Sequence, residues 1–262
     1  MTLTGADAPV HHPNRVSDAA RLRATASILL LGAWEAMARS GLVLPEVLPP
    51  PSRVAERLAA LLAQPGFYGH LAATAVEVAA SAVIALAAAS VVAAACAAFR
   101  PVRAGLAPVL YYLAPTPKII FLPVALGVFG VDMGSKIAIG AVSTLFPIAI
   151  SLVSGLARVE PIHLDVGRGF GLTARQMATK VYLPSLWGAA LTGLRLGTGL
   201  AIIGVLLAET KLAARGLGFL AIQSYNAFRI ADLYAVIVVT FVLAALINWL
   251  ISAAEARYAH AR

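Results

Sequence analysis

The sequence predicts an all-α, polytopic membrane helical bundle, and two observations carry that expectation. Hydrophobic residues fill 60% of the 262 positions and charged residues only 12%, against ~25% charged in ordinary soluble domains. The mean hydropathy is accordingly +0.86. The apolar residues also gather into runs long enough to cross a hydrocarbon layer of ~30 Å, which takes about 20 helical residues. Six such runs are readable, near residues 24–44, 72–99, 106–129, 135–157, 185–209 and 232–254. Five spans is the alternative count, because Glu35 and Arg39 lie in the outer half of the first run and must pair or snorkel.

Residues 1–23 are polar, with Arg15, Arg21 and Arg23, and no small-residue cleavage pattern follows a short apolar core. They read as a cytoplasmic tail and not as a cleavable signal, and the isolated His11-His12 pair makes no metal site. The segment from Pro45 to Gly69 starts Pro-rich, then places Val54, Leu58, Leu61 and Leu62 at helical spacing opposite Arg53, Glu56 and Arg57. That pattern describes a helix lying at the membrane interface. Pro115, Pro117, Pro123 and Pro147 break or bend the third and fourth spans and free carbonyls that need other partners. The fifth span carries Gly193, Gly197, Gly199 and Gly204, which let neighbouring helices come close. Residues 210–231, with Gly216, Gly218, Phe219, Tyr225 and Phe228, form an outer loop. It is either a connection resting at the headgroups or a surface that meets a delivery protein. Residues 24–257 thus make one transmembrane domain, with tails at 1–23 and 258–262.

The net charge of +8 and pI of about 10.1 come from Lys and Arg scattered between apolar spans with no basic stripe, so nucleic acid is not the partner they indicate. Membrane orientation accounts for them better. With the N-terminus inside, the inner segments hold eleven Lys and Arg against seven in the outer ones, the bias expected of cytoplasmic loops. The single Cys96 lies inside an apolar span, which leaves no disulfide framework and no cysteine metal site. The stretch from Gly130 to Lys136 has the wrong order and spacing for a phosphate-binding loop. The His residues at 11, 12, 70, 163 and 260 lack metal-ligand spacing, and no Ser sits in a nucleophile elbow.

One polar interruption, residues 158–184, reads as helix, break, helix. Pro161 suits a first helical position, Gly171 a left-handed stop, and Thr173 with Gln176 a capping box that opens a second short helix ending before Pro184. On the first helix Ile162, Val166 and Phe170 recur at four-residue spacing while His163, Asp165 and Arg168 face elsewhere. A helix of that kind can lie against a partner.

Asp165-Val166-Gly167, then Gly171, then Val181-Tyr182-Leu183-Pro184 keeps the spacing of the cytoplasmic-loop signature of ABC importer permeases. That family usually writes Glu-Ala-Ala, then Gly, then Ile-x-Leu-Pro. Here Asp165 stands for the Glu, Val166 and Gly167 for the two Ala, and Val181 for the Ile, while Gly171, Leu183 and Pro184 match outright. Leu48-Pro49-Pro50-Pro51-Ser52, Phe121-Leu122-Pro123, Phe146-Pro147, Gly193-Leu194-Arg195, Ala208-Glu209 and Arg215-Gly216-Leu217-Gly218 further resemble the nitrate/sulfonate/taurine type. Residues 78–98 depart from it, with Ala and Ser where the family repeats Gly.

The resemblance implies a type I ABC importer permease in the cell inner membrane, with both termini cytoplasmic if there are six spans. It implies two cytoplasmic ATPase subunits that bind the ATP and magnesium, a second permease subunit that makes a homodimer, and an extracytoplasmic solute-binding protein. The permease itself has no cofactor and is not an enzyme. Its ATPase-coupling loop is expected at Asp165, Val166, Gly167, Arg168, Phe170, Gly171 and Leu172, with Leu183 and Pro184 setting how the loop joins the fifth span. The implied solute is a small anion of the nitrate, sulfonate or taurine kind, or a related metabolite or vitamin precursor. An ion-coupled secondary carrier and a membrane-embedded enzyme remain alternative readings, the former encouraged only by Glu77.

Charges inside spans each cost at least ~2–3 kcal/mol at mid-membrane unless paired or wetted. Glu77, Lys118, Arg195 and Glu209 are therefore expected to face the protein interior. Lys118 either lines a translocation path or pairs with Glu77 or snorkels. Arg195 either packs and pairs or touches solute, and Glu209 is expected to be structural.

Overall fold

In the structure, a computed structural model that describes residues 15–44 and 46–260, the described residues are helices and the connections between them. In chain order they are α1 (Arg15–Arg39), α2 (Pro51–Leu62), α3 (Pro65–Ala98), α4 (Arg100–Leu113), a 3-10 turn (Lys118–Phe121), α5 (Leu122–Phe129) and α6 (Met133–Leu156). They continue with α7 (Pro161–Gly169), α8 (Ala174–Met177), a π-turn (Ala178–Tyr182), α9 (Leu183–Leu212), α10 (Leu217–Asn226) and α11 (Ile230–His260). His11-His12 lies outside the described residues.

Among the described residues, four helical stretches are long and apolar enough to span a membrane: Pro65–Ala98, Met133–Leu156, Ala174–Lys211 and Ile230–Arg257. The expected third span is instead two helices, α4 and the 118–129 pair, bent by 96° at the break, so the count rises to five if the pair is one broken span. Pro115 and Pro117 lie in that break and supply its cause, since neither has an N–H for the preceding turn. The first expected span is not among the five. The charge-free part of α1 between Arg23 and Glu35 covers only residues 24–34, too short for the hydrocarbon layer. Among the described residues, length and composition support four spans, or the alternative count of five if the bent pair is one span.

Several boundaries move. Helix begins at Arg15 where a tail was expected up to residue 23, and α11 runs to His260, past the expected start of a tail at 258. The interfacial helix is present as α2, but it ends at Leu62 and α3 starts at Pro65, earlier than residue 72. Glu35 and Arg39 do pair, and Ser52 adds its N–H and hydroxyl to the Glu35 carboxylate.

The core sits where α3, α6 and α9 pack together. Ala85, Ala89, Ala93 and Cys96 of α3 meet Ile148, Ala149, Leu152 and Leu156 of α6 and Leu186 of α9. Lipid tails are as apolar as these side chains, so association depends on close packing and interhelical polar contacts. The α6–α9 seam shows both. A Cβ on Gly193 would lie 2.8 Å from Ile148 Cα, and one on Gly197 2.8 Å from Thr144 Cγ2. Thr144 Oγ1 reaches the carbonyl of Gly140 on its own helix at 2.8 Å and that of Gly197 across the seam at 3.1 Å.

Gly197→Ala is therefore expected to wedge the seam and cost about 1–3 kcal/mol. Gly199→Ala on the same helix, where a Cβ meets nothing within 4 Å, should be neutral or slightly stabilising. Thermal unfolding of both variants in one detergent checks this, and equal tolerance would contradict the packing account.

Candidate functional site

Two regions concentrate chemistry: the 158–184 loop at one end of the bundle and a buried charge network at the other. In the loop, Pro161 opens α7 as its first residue. Its end is a Schellman motif: Leu172 N–H donates to Gly167 O at 3.0 Å and Gly171 N–H to Arg168 O at 2.9 Å, with Gly171 at φ +64°. Thr173 and Gln176 then form the reciprocal capping box that opens α8. The expected break before Pro184 is absent. Helix continues from α8 through the π-turn into α9, and Ala174–Lys211 is one continuous stretch. The wider π-turn directly precedes Pro184, whose ring and missing N–H would otherwise conflict with the preceding helical turn.

The most buried residue of α7 is a glycine. Gly167 is buried, and a Cβ there would lie 2.7 Å from Met177 Sδ. Ile162, Val166 and Phe170 are nonetheless 60%, 48% and 81% exposed, an apolar row that nothing in this chain covers. Val166, Gly167, Phe170, Leu172 and Pro184 line one groove of about 660 Å³ between α7 and the start of α9. Asp165 and Arg168 are not in it; they pair with each other at 3.2 Å, both exposed. Leu183 turns away and lines a separate apolar groove with Trp187 and Leu86.

The three span charges expected near a path are not brought together. Lys118 is not beside Glu77. Its ammonium donates to the carbonyls of Leu113, Ala114 and Thr116 at 2.8, 2.7 and 2.7 Å and lies 4.5 Å from the centre of the Phe146 ring. It thus caps the broken end of α4, where helix-terminal carbonyls attract a cation. Arg195 pairs with Glu255 and donates to Ser252 at 3.1 Å, tying α9 to α11. Glu77 faces Lys136, with Nζ 3.6 Å from Oε1 and side chains 1% and 7% exposed. Lys136, one of the seven Lys and Arg counted in the outer segments, is the partner that charge counting missed. The available signal was its place in the first turn of an apolar helix.

Glu209 is fully buried and organises the connection between α9 and α10. It accepts from Thr74 Oγ1 at 2.6 Å and from Gly218 N–H at 2.6 Å. Thr74 Oγ1 in turn accepts from Leu217 N–H at 2.8 Å, and His70 Nδ1 accepts from Gly216 N–H at 3.2 Å. Gly216 sits at φ +117°, and a Cβ there would fall inside the Glu209 carboxylate. So the Ala208-Glu209 and Arg215-Gly216-Leu217-Gly218 motifs form one latch that seats α10 between α3 and α9. Among the described residues, no group of three or more His, Cys, Asp or Glu converges on a metal-sized space.

Removing one acceptor should loosen the latch locally. Thr74→Val is expected to speed hydrogen exchange of the Leu217 amide about fivefold, the worth of roughly 1 kcal/mol, with a smaller effect at Gly218. Gly216→Ala should speed both. An unchanged Leu217 rate in Thr74→Val would show that other contacts order the loop.

A family model described as the binding-protein-dependent transport system inner membrane component matches residues 85–260. The taurine transport system permease protein TauC of Escherichia coli (strain K12) is 30% identical over 209 residues, covering 78% of this chain and 76% of that protein. The formylaminopyrimidine transport permease protein ThiX of Halalkalibacterium halodurans is 27% identical over 201 residues, 77% and 80% of the two chains. A putative aliphatic sulfonates transport permease protein, SsuC of Bacillus subtilis (strain 168), is 24% identical over 211 residues, 80% and 76%. With its apolar helices and exposed inter-span loop, the chain belongs to the binding-protein-dependent transport system inner membrane components, the multi-pass, non-enzymatic permease subunits of ABC importers.

Proposed function

We propose that α7 is the surface through which a cytoplasmic ATPase dimer drives this permease, with ATP and magnesium held by those partners. The carrying observation is the uncovered apolar row Ile162, Val166 and Phe170 on a helix fixed at both ends. Asp165 and Arg168 flank that row at the surface, Gly167 and Leu172 seat the helix, and Gly171 fixes its exit. Leu183 and Pro184 carry motion through the π-turn into α9. Coupling of this kind needs partner contacts that differ between two states of the bundle. The loop and the C-terminus then share the cytoplasmic side, and six spans would add the N-terminus.

Two copies of the chain would form the translocation path between them, supplied by an extracytoplasmic solute-binding protein. The relatives' names point to a small polar solute, an anion of the taurine, sulfonate or nitrate kind or a vitamin precursor. Of the three span charges expected near a path, Glu77, paired with Lys136, borders an open cleft and offers the stronger candidate contact. Lys118 and Arg195 hold the fold that surrounds the path.

Phe170→Ala is expected to weaken ATPase docking by about 2 kcal/mol, roughly thirtyfold, as loss of an exposed aromatic anchor does. The thermal midpoint of the chain should barely change, because Phe170 is 81% exposed. Co-purification with the ATPase checks this, and undiminished assembly and uptake would contradict the assignment.

A further inference from the structure

The helices α7 and α10 end in the same hydrogen-bond pattern and differ at one residue. At the end of α10, Arg229 N–H donates to Ser224 O at 2.9 Å and Phe228 N–H to Tyr225 O at 3.0 Å, the Schellman pair already seen after α7. α7 places Gly171 at the left-handed position, whereas α10 places Phe228 there, at φ +55°. Among the described residues Phe228 is the one residue other than glycine with positive φ. A bulky side chain strains such a backbone. Burial does not offset that strain, since Phe228 is 82% exposed.

Phe228 lines a pocket of about 360 Å³ between α2 and the start of α11. Arg53, Arg57 and Arg229 line it with Glu46 and Asp232, an excess of one positive charge. Asp232 is already engaged. Arg57 donates to both its oxygens, from Nε to Oδ1 and from Nη2 to Oδ2 at 3.0 Å, and Arg229 Nε stands 3.7 Å from Oδ2. That last distance is an ion-pair contact, too long for a hydrogen bond. Arg53 is exposed and, among the described residues, has no ion-pair partner. The guanidinium forks of Arg53 and Arg229 are thus open to a carboxylate from outside, which each can hold through two parallel bonds.

We propose that Phe228, Arg53 and Arg229 form the docking site for an acidic surface of the extracytoplasmic solute-binding protein. Carboxylates of that protein meet the two guanidiniums, and the Phe228 ring seats in an apolar recess beside them. The inference rests on the permease reading, which sets α7 on the ATPase side. α7 leads into one end of α9 and α10 follows the other, so the pocket lies away from the ATPase. Resting at lipid headgroups accounts for Phe228 less well. Trp and Tyr serve there because their rings carry a polar tip, and a ring lying in lipid needs no strained backbone. Aromatic and Arg side chains are instead the usual anchors of protein interfaces.

The test uses the permease assembled with its ATPase in lipid nanodiscs. Its probe is the purified solute-binding protein that restores uptake by this permease, with docking read by surface plasmon resonance. Phe228→Gly removes the ring and the strain together. Docking is expected to weaken about tenfold, while the thermal midpoint rises by roughly 2–4 °C. Arg53→Glu is expected to weaken docking by a similar factor and to reduce its dependence on salt. Undiminished docking in either variant would overturn the proposal, as would a lower midpoint in Phe228→Gly, which would make the ring structural. A loss of docking that occurs in discs containing phosphatidylglycerol and not in pure phosphatidylcholine discs would also overturn it, by giving the pocket to an anionic headgroup. Failure of the permease reading would show separately, as a chain that does not assemble with the ATPase.

Discussion

Everything in this bundle depends on the contact between α6 and α9, made where side chains are absent. In hydrocarbon no hydrophobic force draws two helices together, so their attraction comes from close approach and from hydrogen bonds across the seam. Gly193 and Gly197 bring the α9 backbone against Ile148 and Thr144, and the Thr144 hydroxyl spans the gap. That seam holds α9 as a continuous rod, one end of which joins the 158–184 loop while the other carries Glu209. The proposed docking helix and the outer latch therefore belong to one element.

The two ends of the rod are built in opposite ways. At the inner end α7 buries Gly167 and leaves its apolar row uncovered, an arrangement costly for an isolated chain and useful only if something covers it. At the outer end the polar groups of Thr74, Glu209, Gly216 and Gly218 are closed on one another inside the protein. A rigid latch at one end and an open surface at the other is what a lever requires. Beside the latch lies the buried Glu77–Lys136 ion pair, which joins α3 to the first turn of α6.

Local grammar was legible in the sequence and long-range partnership was not. Pro161, Gly171 and the Thr173–Gln176 box each act within a few residues, so their geometry followed from spacing alone. The apolar periodicity likewise placed four spans and the break at Pro115 and Pro117. The continuation of helix past Pro184 was hidden, because a π-turn accommodates a proline that an α-turn would not. Glu77 and Lys136 are distant in sequence, and nothing in the charge pattern joined them. Lys118, expected either to line a path or to pair with Glu77 or snorkel, donates to carbonyls freed at a helix break that its position alone did not reveal. The small, spaced motifs at 208–209 and 215–218 were visible separately, but their meeting in one latch required the fold.

The most direct measurement of the central claim is disulfide cross-linking from Arg168→Cys, in a Cys96→Ala background, to single cysteines on the surface of the ATPase in the assembled transporter. Arg168 is exposed beside the apolar row of α7. The account predicts cross-links to the ATPase whose yield changes when ATP binds. A position that never cross-links to the ATPase and instead reacts with a lipid-confined thiol reagent would contradict it.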